Sequence, residues 1–201
     1  ADLARLLAAS LAELKPADLR TWYGPRRIAL AAMVAAEVPA STRAERGPRS
    51  SAPPQAIEGF LRKHGAARES LREENGFLVL ARELPARPAS ALVAAALVDL
   101  LRRFPWPKSM RWGGASQFAW VRPLRRVTCL LDGAVVPFDL RQGEDDGHGL
   151  AAGNMSEGHR FMAPGAFAVT SAAQWMAELR RRFVIADAGE RRRVIGEGVG
   201  K

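Results

Sequence analysis

The segment Val127–Phe138, reading VTCLLDGAVVPF, constrains the fold more than any other. Two apolar runs flank Asp132-Gly133. A type I′ turn needs positive φ at both central positions, and Asp-Gly supplies it at low steric cost. The stretch therefore predicts an antiparallel hairpin, and the architecture must accommodate one. Cys129 lies in the first run and is the only cysteine of the chain, so no intrachain disulfide framework exists. Its apolar neighbours mark it as a buried small hydrophobe rather than a catalytic thiol, and an intracellular setting fits.

The rest of the pattern mixes helices with strands. Leu3, Leu6, Leu7, Leu11 and Leu14 recur at helical spacing, predicting a helix over 2–14 that stops before Pro16. The apolar run 26–38 reads as a strand, and so does 76–84. Residues 53–65 read as a helix with prolines in its first turn and Gly65 at its C-terminus. Residues 87–104 form the clearest helix, and 171–183 another, with Ser171 as N-cap. Residues 166–170 read as a short strand. The Pro/Ser/Arg-rich stretch 39–54 has no periodicity and is expected as an exposed loop; the Gly- and acid-rich stretch 141–158 is expected as a second loop. The fold class is α+β, with largely antiparallel strands. No apolar run approaches the roughly 20 residues that span a membrane. The opening ADLARLLAAS lacks Met and the closing RRRVIGEGVGK lacks a final element, so the chain is expected to be a fragment of a larger multidomain subunit.

Charge points toward a polyanion only when its distribution is considered. The net charge is +9, but only four of the 30 cations are Lys, and an Arg- and Ala-rich bias can come from genome composition. More telling is Leu100–Leu131, which holds Arg102, Arg103, Lys108, Arg111, Arg122, Arg125 and Arg126 without one acid. Trp106, Trp112, Phe118 and Trp120 are interleaved there. Arginine forks hold phosphates and aromatic faces stack on bases, so the window reads as a basic-aromatic surface. Within it, FPWPKSMRWGG (104–114) is a rigid corner: prolines fix the backbone, tryptophans pack beneath, and Lys108 and Arg111 are presented.

Catalytic machinery is not visible. His64, His148 and His159 do not sit at metal-ligand spacings, and no nucleophile elbow or dinucleotide fingerprint occurs. The cluster Glu144-Asp145-Asp146 reads as solvated acids in a glycine-rich loop, and His148 carries no readable role. The terminal GEGVGK fails as a phosphate loop because Ile195 stands where the first glycine belongs. No catalytic residue and no metal ligand are assigned.

PKSMRWG (107–113) followed by FAWVRPLRR (118–126) resembles the β subunit of bacterial tetrameric glycyl-tRNA synthetase. YGPRRIAL (23–30), AIEGFLRKHG (56–65), LLDGAVVPF (130–138), EGHRFMAPG (157–165) and ERRRVI (190–195) are similar to further blocks of that family, in the same order. Arg126 stands where the family usually has Trp, and Gly24 where it has Thr. The resemblance implies the N-terminal region of that subunit over 1–201, truncated at both ends, in a cytoplasmic α2β2 ligase. It implies an α subunit and tRNA(Gly) as partners, with glycine, ATP and magnesium handled in the α subunit and no cofactor in this chain. The candidate tRNA-binding residues are Arg26, Arg27, Lys108, Arg111, Arg122, Arg125, His159 and Arg160. Alternatives stay open: salt bridging for Arg26 and Arg27, a buried polar network for Arg111 and Arg122, and a structural turn at His159-Arg160 with Phe161 anchored in the core. A freestanding RNA-binding module is the competing functional class, and a hydrolase using His159 and an acid is a third.

Overall fold

A computed structural model describes residues 2–114 and 116–199. Its five α-helices among these residues are α1 (Asp2–Ser10), α2 (Pro54–His64), α3 (Ala89–Arg102), α4 (Ala172–Arg181) and α5 (Ala188–Val199). Nearly all strand pairs are antiparallel; Val127–Thr128 with Ala152–Gly153 is parallel. The chain is α+β. It divides into two compact units, one built from the stretches up to Ala36 and from Pro88 onward, the other from Glu37–Arg87.

The larger unit holds two hydrophobic clusters. The first gathers around the hairpin Ala17–Gly24/Arg27–Met33, closed by the two-residue turn Pro25-Arg26. Trp22 points inward from it and meets Trp175 of α4 edge-on, with ring centroids 6.0 Å apart. Phe167, Val169, Leu179 and Ala186 complete the cluster. The Trp175 indole N–H is not stranded, because it donates to Ser156 Oγ at 3.0 Å. Ser171 caps α4 by accepting from the Gln174 amide at 3.1 Å, as its position predicts. The second cluster, Phe118, Trp120, Leu140 and Leu150, packs with Leu101 of α3, Phe104, Trp106 and Trp112. The predicted hairpin joins Leu130–Leu131 to Ala134–Val135, and Asp132 and Gly133 take φ of 49° and 80°.

The smaller unit is a three-stranded antiparallel sheet with α2. Strand Phe77–Leu84 lies between Ser41–Arg49 and Leu71–Glu74. The last two strands to form the hairpin are joined by Asn75-Gly76, at φ 54° and 77°. Ile57 of α2 is buried, and Phe60 lies against Gly47, where a Cβ would stand 2.9 Å from its ring. Gly65 ends α2 in the left-handed region, and His64 Nδ1 lies 2.9 Å from Glu45 Oε2.

Two expected loops are corrected. Within 39–54, Ser41–Arg49 is a nine-residue strand. It shows no apolar alternation because Gly47 and the His64-paired Glu45 occupy inward places where apolar residues would otherwise sit. Within 141–158, Ala152–Gly153 and Met155–Glu157 are strands. Strands of two or three residues are too short to leave a period. The helix expected over 2–14 ends at Ser10 and tightens into a 3-10 turn at Ala12–Leu14. No helix among the described residues is long and apolar enough to cross a membrane.

Candidate nucleic-acid interface

The Pro/Trp corner is built on aromatic packing. Trp106 contacts Phe104 and Trp120 at centroid distances of 4.6 and 5.0 Å, and Trp112 meets Phe118 at 5.6 Å. Such pairs add roughly 0.5–1.5 kcal/mol each beyond their burial. A two-rung ladder then pairs Met110 with Trp120 and Arg111 with Ala119. Lys108 and Arg122 each stand two residues beyond the Met110–Trp120 rung, at the same end of the ladder. Lys108, Arg111 and Arg122 are exposed, and no carboxylate among the described residues pairs with them. Arg111 donates to the side-chain oxygen of Gln117. The buried network considered for Arg111 and Arg122 is therefore replaced by solvent exposure.

The acid-free window is only partly unopposed. Acids from elsewhere fold back onto it. Arg102 Nη2 lies 3.0 Å from Asp145 Oδ2, and both side chains are largely buried. Arg103 pairs with Asp99 at 2.9 Å. Arg125 and Arg126 share Glu157, at 3.8 and 2.9 Å. Four of the window's seven cations are thus matched locally, and Lys108, Arg111 and Arg122 are the remainder. Linear distance hid three of these four pairs: Asp145 is 43 residues from Arg102 and Glu157 31 from Arg126, whereas Asp99 is a helical i,i+4 neighbour of Arg103.

Asp145 and His148 hold functions that sequence reading missed. Asp145 Oδ1 accepts from the Ser116 hydroxyl at 2.5 Å and the Gly147 amide at 2.9 Å. Its other oxygen accepts from Arg102 Nη1 and the Gln117 amide, both at 3.2 Å. The Ser116 hydrogen bond, followed by the Gly147 amide, holds its carboxyl below the usual carboxylate range. His148 stacks on Trp112, with centroids 4.2 Å apart and planes 17° off parallel. Its Nε2 lies 3.2 Å from the Phe118 carbonyl oxygen. Far from being only solvated, the acidic loop clamps the back of the corner.

A second basic locus surrounds Glu157-Gly158. Arg27 Nη1 donates to the Glu157 carbonyl at 3.1 Å, and Nη2 approaches the Gly158 carbonyl at 3.5 Å. Burial pushes the Arg27 guanidinium below its usual pKa, with Glu157 opposing and Arg26 adding to the shift. Arg27 is therefore a structural tie, whereas Arg26 is exposed in the adjoining turn. Arg125, Glu157, Gly158, His159 and Arg160 line a cleft of about 150 Å³ with Ala163, Pro164 and Gly165. His159 Nδ1 accepts from the Phe161 and Met162 amides at 3.3 and 3.1 Å, which makes the predicted turn. Phe161 is not anchored in the core: it is 77% exposed, with Met162 at 60%. The cleft does bring His159 near an acid, yet Nδ1 is committed to two amides and the Glu157 carboxylate to two arginines. No hydroxyl or thiol lines it, so its lining supplies no side-chain nucleophile. Among the described residues, no group of three or more His, Cys, Asp or Glu is arranged to hold a metal ion.

The structure thus places six of the eight candidates at two loci, the corner with Lys108, Arg111 and Arg122, and the cleft with Arg125, His159 and Arg160; Arg27 is tied to backbone carbonyls and Arg26 is exposed in its turn. A family model described as glycyl-tRNA synthetase beta subunit matches residues 1–201. The chain belongs to the glycyl-tRNA synthetase beta subunit family. It is 45% identical over 200 residues to the glycine–tRNA ligase beta subunit of Phenylobacterium zucineum (strain HLK1), covering 98% of this chain and 29% of that relative. A Cereibacter sphaeroides (strain ATCC 17029 / ATH 2.4.9) glycine–tRNA ligase beta subunit is 45% identical over 205 residues, covering 96% and 28%. That of Rhodospirillum centenum (strain ATCC 51521 / SW) is 38% identical over 215 residues, covering 96% and 30%. The chain spans less than a third of the length of these synthetase beta subunits.

Proposed function

We propose that this chain is a non-catalytic part of a glycine–tRNA ligase β subunit and contributes tRNA binding to ATP-dependent glycylation. On this reading tRNA(Gly) and an α subunit are its partners, and glycine, ATP and magnesium are bound by the α subunit. The observation that carries the reading is the trio Lys108, Arg111 and Arg122, exposed and without a carboxylate partner on a stiff aromatic base. A rigid base reduces the side-chain ordering that binding must otherwise overcome. Phosphates are the natural complement of guanidinium and ammonium groups so displayed.

The test uses the full-length β polypeptide co-expressed with its α partner. Replacing Lys108, Arg111 and Arg122 together by Ala should raise KM for tRNA about tenfold or more while kcat changes little. Each lost phosphate contact should also reduce the salt slope of tRNA binding by roughly 0.7–0.9. Unchanged KM and unchanged slope would refute the tRNA role.

A subunit-scaffolding contribution rests on a separate observation. Phe161 and Met162 stand exposed side by side on the His159 turn. Contiguous exposed apolar surface is a common mark of a protein contact. Phe161→Ser with Met162→Ser should weaken co-elution of the β polypeptide with the α subunit.

A further inference from the structure

The smaller unit carries a basic surface that belongs to neither locus. Its sheet has two faces. Leu80, Leu78 and Glu45 share the face of Gly47 and α2 by register. The opposite face is read off the same pairings, since directly opposed residues point the same way. Arg46, Val79 and Arg72 form one row across all three strands. Arg49, Phe77 and Glu74 form the next, and Ala44 with Ala81, then Thr42 with Glu83, follow toward the other end.

This face has an ordered centre. The Arg46 guanidinium lies 3.5 Å from the centroid of the Phe77 ring, and that of Arg49 lies 5.7 Å from it. Stacking on the ring holds Arg46 by cation–π attraction and limits its rotamers. Val79 is buried although it sits on this face, between its register partners Arg46 and Arg72. Arg46, Arg49 and Arg72 are exposed, and no carboxylate among the described residues pairs with any of them. Two interstrand spacings separate Arg46 from Arg72, about 10 Å. Three cations this close repel one another in the free protein, and a polyanion relieves the repulsion. Of the acids of the face, Glu83 lies toward the far end, and Glu74 shares the row of Arg49 across Phe77, with no ion pair to any of the three arginines among the described residues.

We propose that this open sheet face is an RNA-contacting surface, with Arg46, Arg49 and Arg72 holding a phosphodiester backbone and the Arg46–Phe77 stack receiving a base. The proposal rests on the reading that the polypeptide works on tRNA. Charge complementarity selects a polyanion, and the guanidinium plane held on an aromatic ring selects a nucleic acid over an acidic protein, because bases stack on such planes. The surface is independent of the corner, since none of its residues lies in the Leu100–Leu131 window.

The experiment uses the full-length β polypeptide assembled with the α subunit, and a tRNA(Gly) transcript in a filter-binding salt series. Arg46→Thr/Arg49→Thr/Arg72→Thr keeps β-favouring residues in the strands. It should weaken binding at least tenfold at low salt and make the slope of log K against log salt shallower by about two. The single Arg72→Gln, on an exposed strand edge that tolerates polar side chains, should reduce the slope by about one and guards against misfolding of the triple variant. Arg72→Lys should retain the slope. An unchanged slope and affinity in both variants overturns the proposal. So does loss of α-subunit association at unchanged RNA affinity, which would make the face a protein contact. If the Lys108/Arg111/Arg122 variant loses tRNA affinity while the sheet variants keep it, the sheet proposal alone falls. If none of the variants changes tRNA binding, the tRNA reading falls with it.

Discussion

Arg102 Nη2 lies 3.0 Å from Asp145 Oδ2, 43 residues away along the chain, and the contact fixes the acidic loop behind the corner. The two partners are not equally replaceable. Arg102 Nε is buried with no acceptor among the described residues, and Asp145 is the one carboxylate among them paired with this guanidinium. Asp145 also has the Ser116 hydroxyl and two amides. Removing the anion strands a buried guanidinium, whereas removing the cation leaves a carboxylate with three donors. Asp145→Asn should therefore lower the urea midpoint more than Arg102→Met. The pH dependence follows from the depressed carboxyl pKa. The stabilisation is present above the unfolded carboxyl value, about 3.9, and is lost as pH falls through the lower folded value. Acid-unfolding curves of Asp145→Asn should lose this component; identical curves would remove Asp145 from the account.

Trp106 tests whether the corner is held by ring packing. Its indole N–H is buried with no acceptor among the described residues. An unmet buried donor costs about 1–3 kcal/mol. Trp106→Phe removes that donor, keeps a ring against Phe104 and Trp120, and leaves a small void. Stability should stay within about 1 kcal/mol of the parent. Trp106→Ala should cost roughly 3–5 kcal/mol. Equal losses for Phe and Ala in denaturant titration would contradict the packing account.

Much of the fold was legible because it depends on local chemistry. Asp132-Gly133 named its turn, Ser171 its helix start and Gly65 its helix stop. The strand Ser41–Arg49 was not, because Gly47 and Glu45 make its inward face look polar in sequence. The corner was legible as a rigid aromatic element, but its charge balance was not. Glu157 and Asp145 meet the window's arginines only through the tertiary fold, and a charge count along the chain cannot see them. Arg191 makes the same point: its guanidinium reaches the Tyr23 carbonyl at 3.0 Å across 168 residues. No local pattern could announce that tie.

Two glycines of the acidic loop separate backbone strain from steric contact. Gly147 has φ of 58°, and a Cβ there would stand 2.3 Å from the Leu140 carbonyl oxygen. Gly149 has φ of 64° with open space around it. Gly149→Ala should cost about 1–2 kcal/mol, the left-handed penalty alone. Gly147→Ala must also displace backbone and should cost at least about 3 kcal/mol. Thermal melts of the two variants check the ordering.

Cys129 should be a slow thiol. Burial pushes its pKa up to about 11, so little thiolate exists near neutral pH. Labelling with a maleimide at pH 7.5 should proceed at least tenfold slower in the native protein than in urea. Sign matters here too: a raised folded value means stability is intact below the unfolded thiol pKa and declines as pH rises toward the folded one. Labelling at equal rates in both states would show the thiol to be solvent-accessible.

Glu157 restrains the candidate tRNA-binding residue Arg125 and its neighbour Arg126, and neutralising it offers a gain of function rather than a loss. Its carboxylate lies 2.9 Å from Arg126 and 3.8 Å from Arg125. The hydrogen bonds of Arg27 do not use that carboxylate, because they go to the backbone carbonyls of Glu157 and Gly158; the carboxylate adds only a coulombic attraction that favours the Arg27 charge. Glu157→Gln therefore keeps the Arg27 tie while releasing Arg125 and Arg126 toward solvent. The arginines are exposed enough that the lost ion pairs were worth little, about 0–1 kcal/mol each. If the cleft faces a phosphate backbone, tRNA affinity of the full assembly should rise about threefold to tenfold, and its salt slope should steepen by one to two. A variant that folds normally yet binds tRNA with unchanged affinity and slope would place Arg125 and Arg126 away from RNA, leaving the corner trio as the contact in this unit.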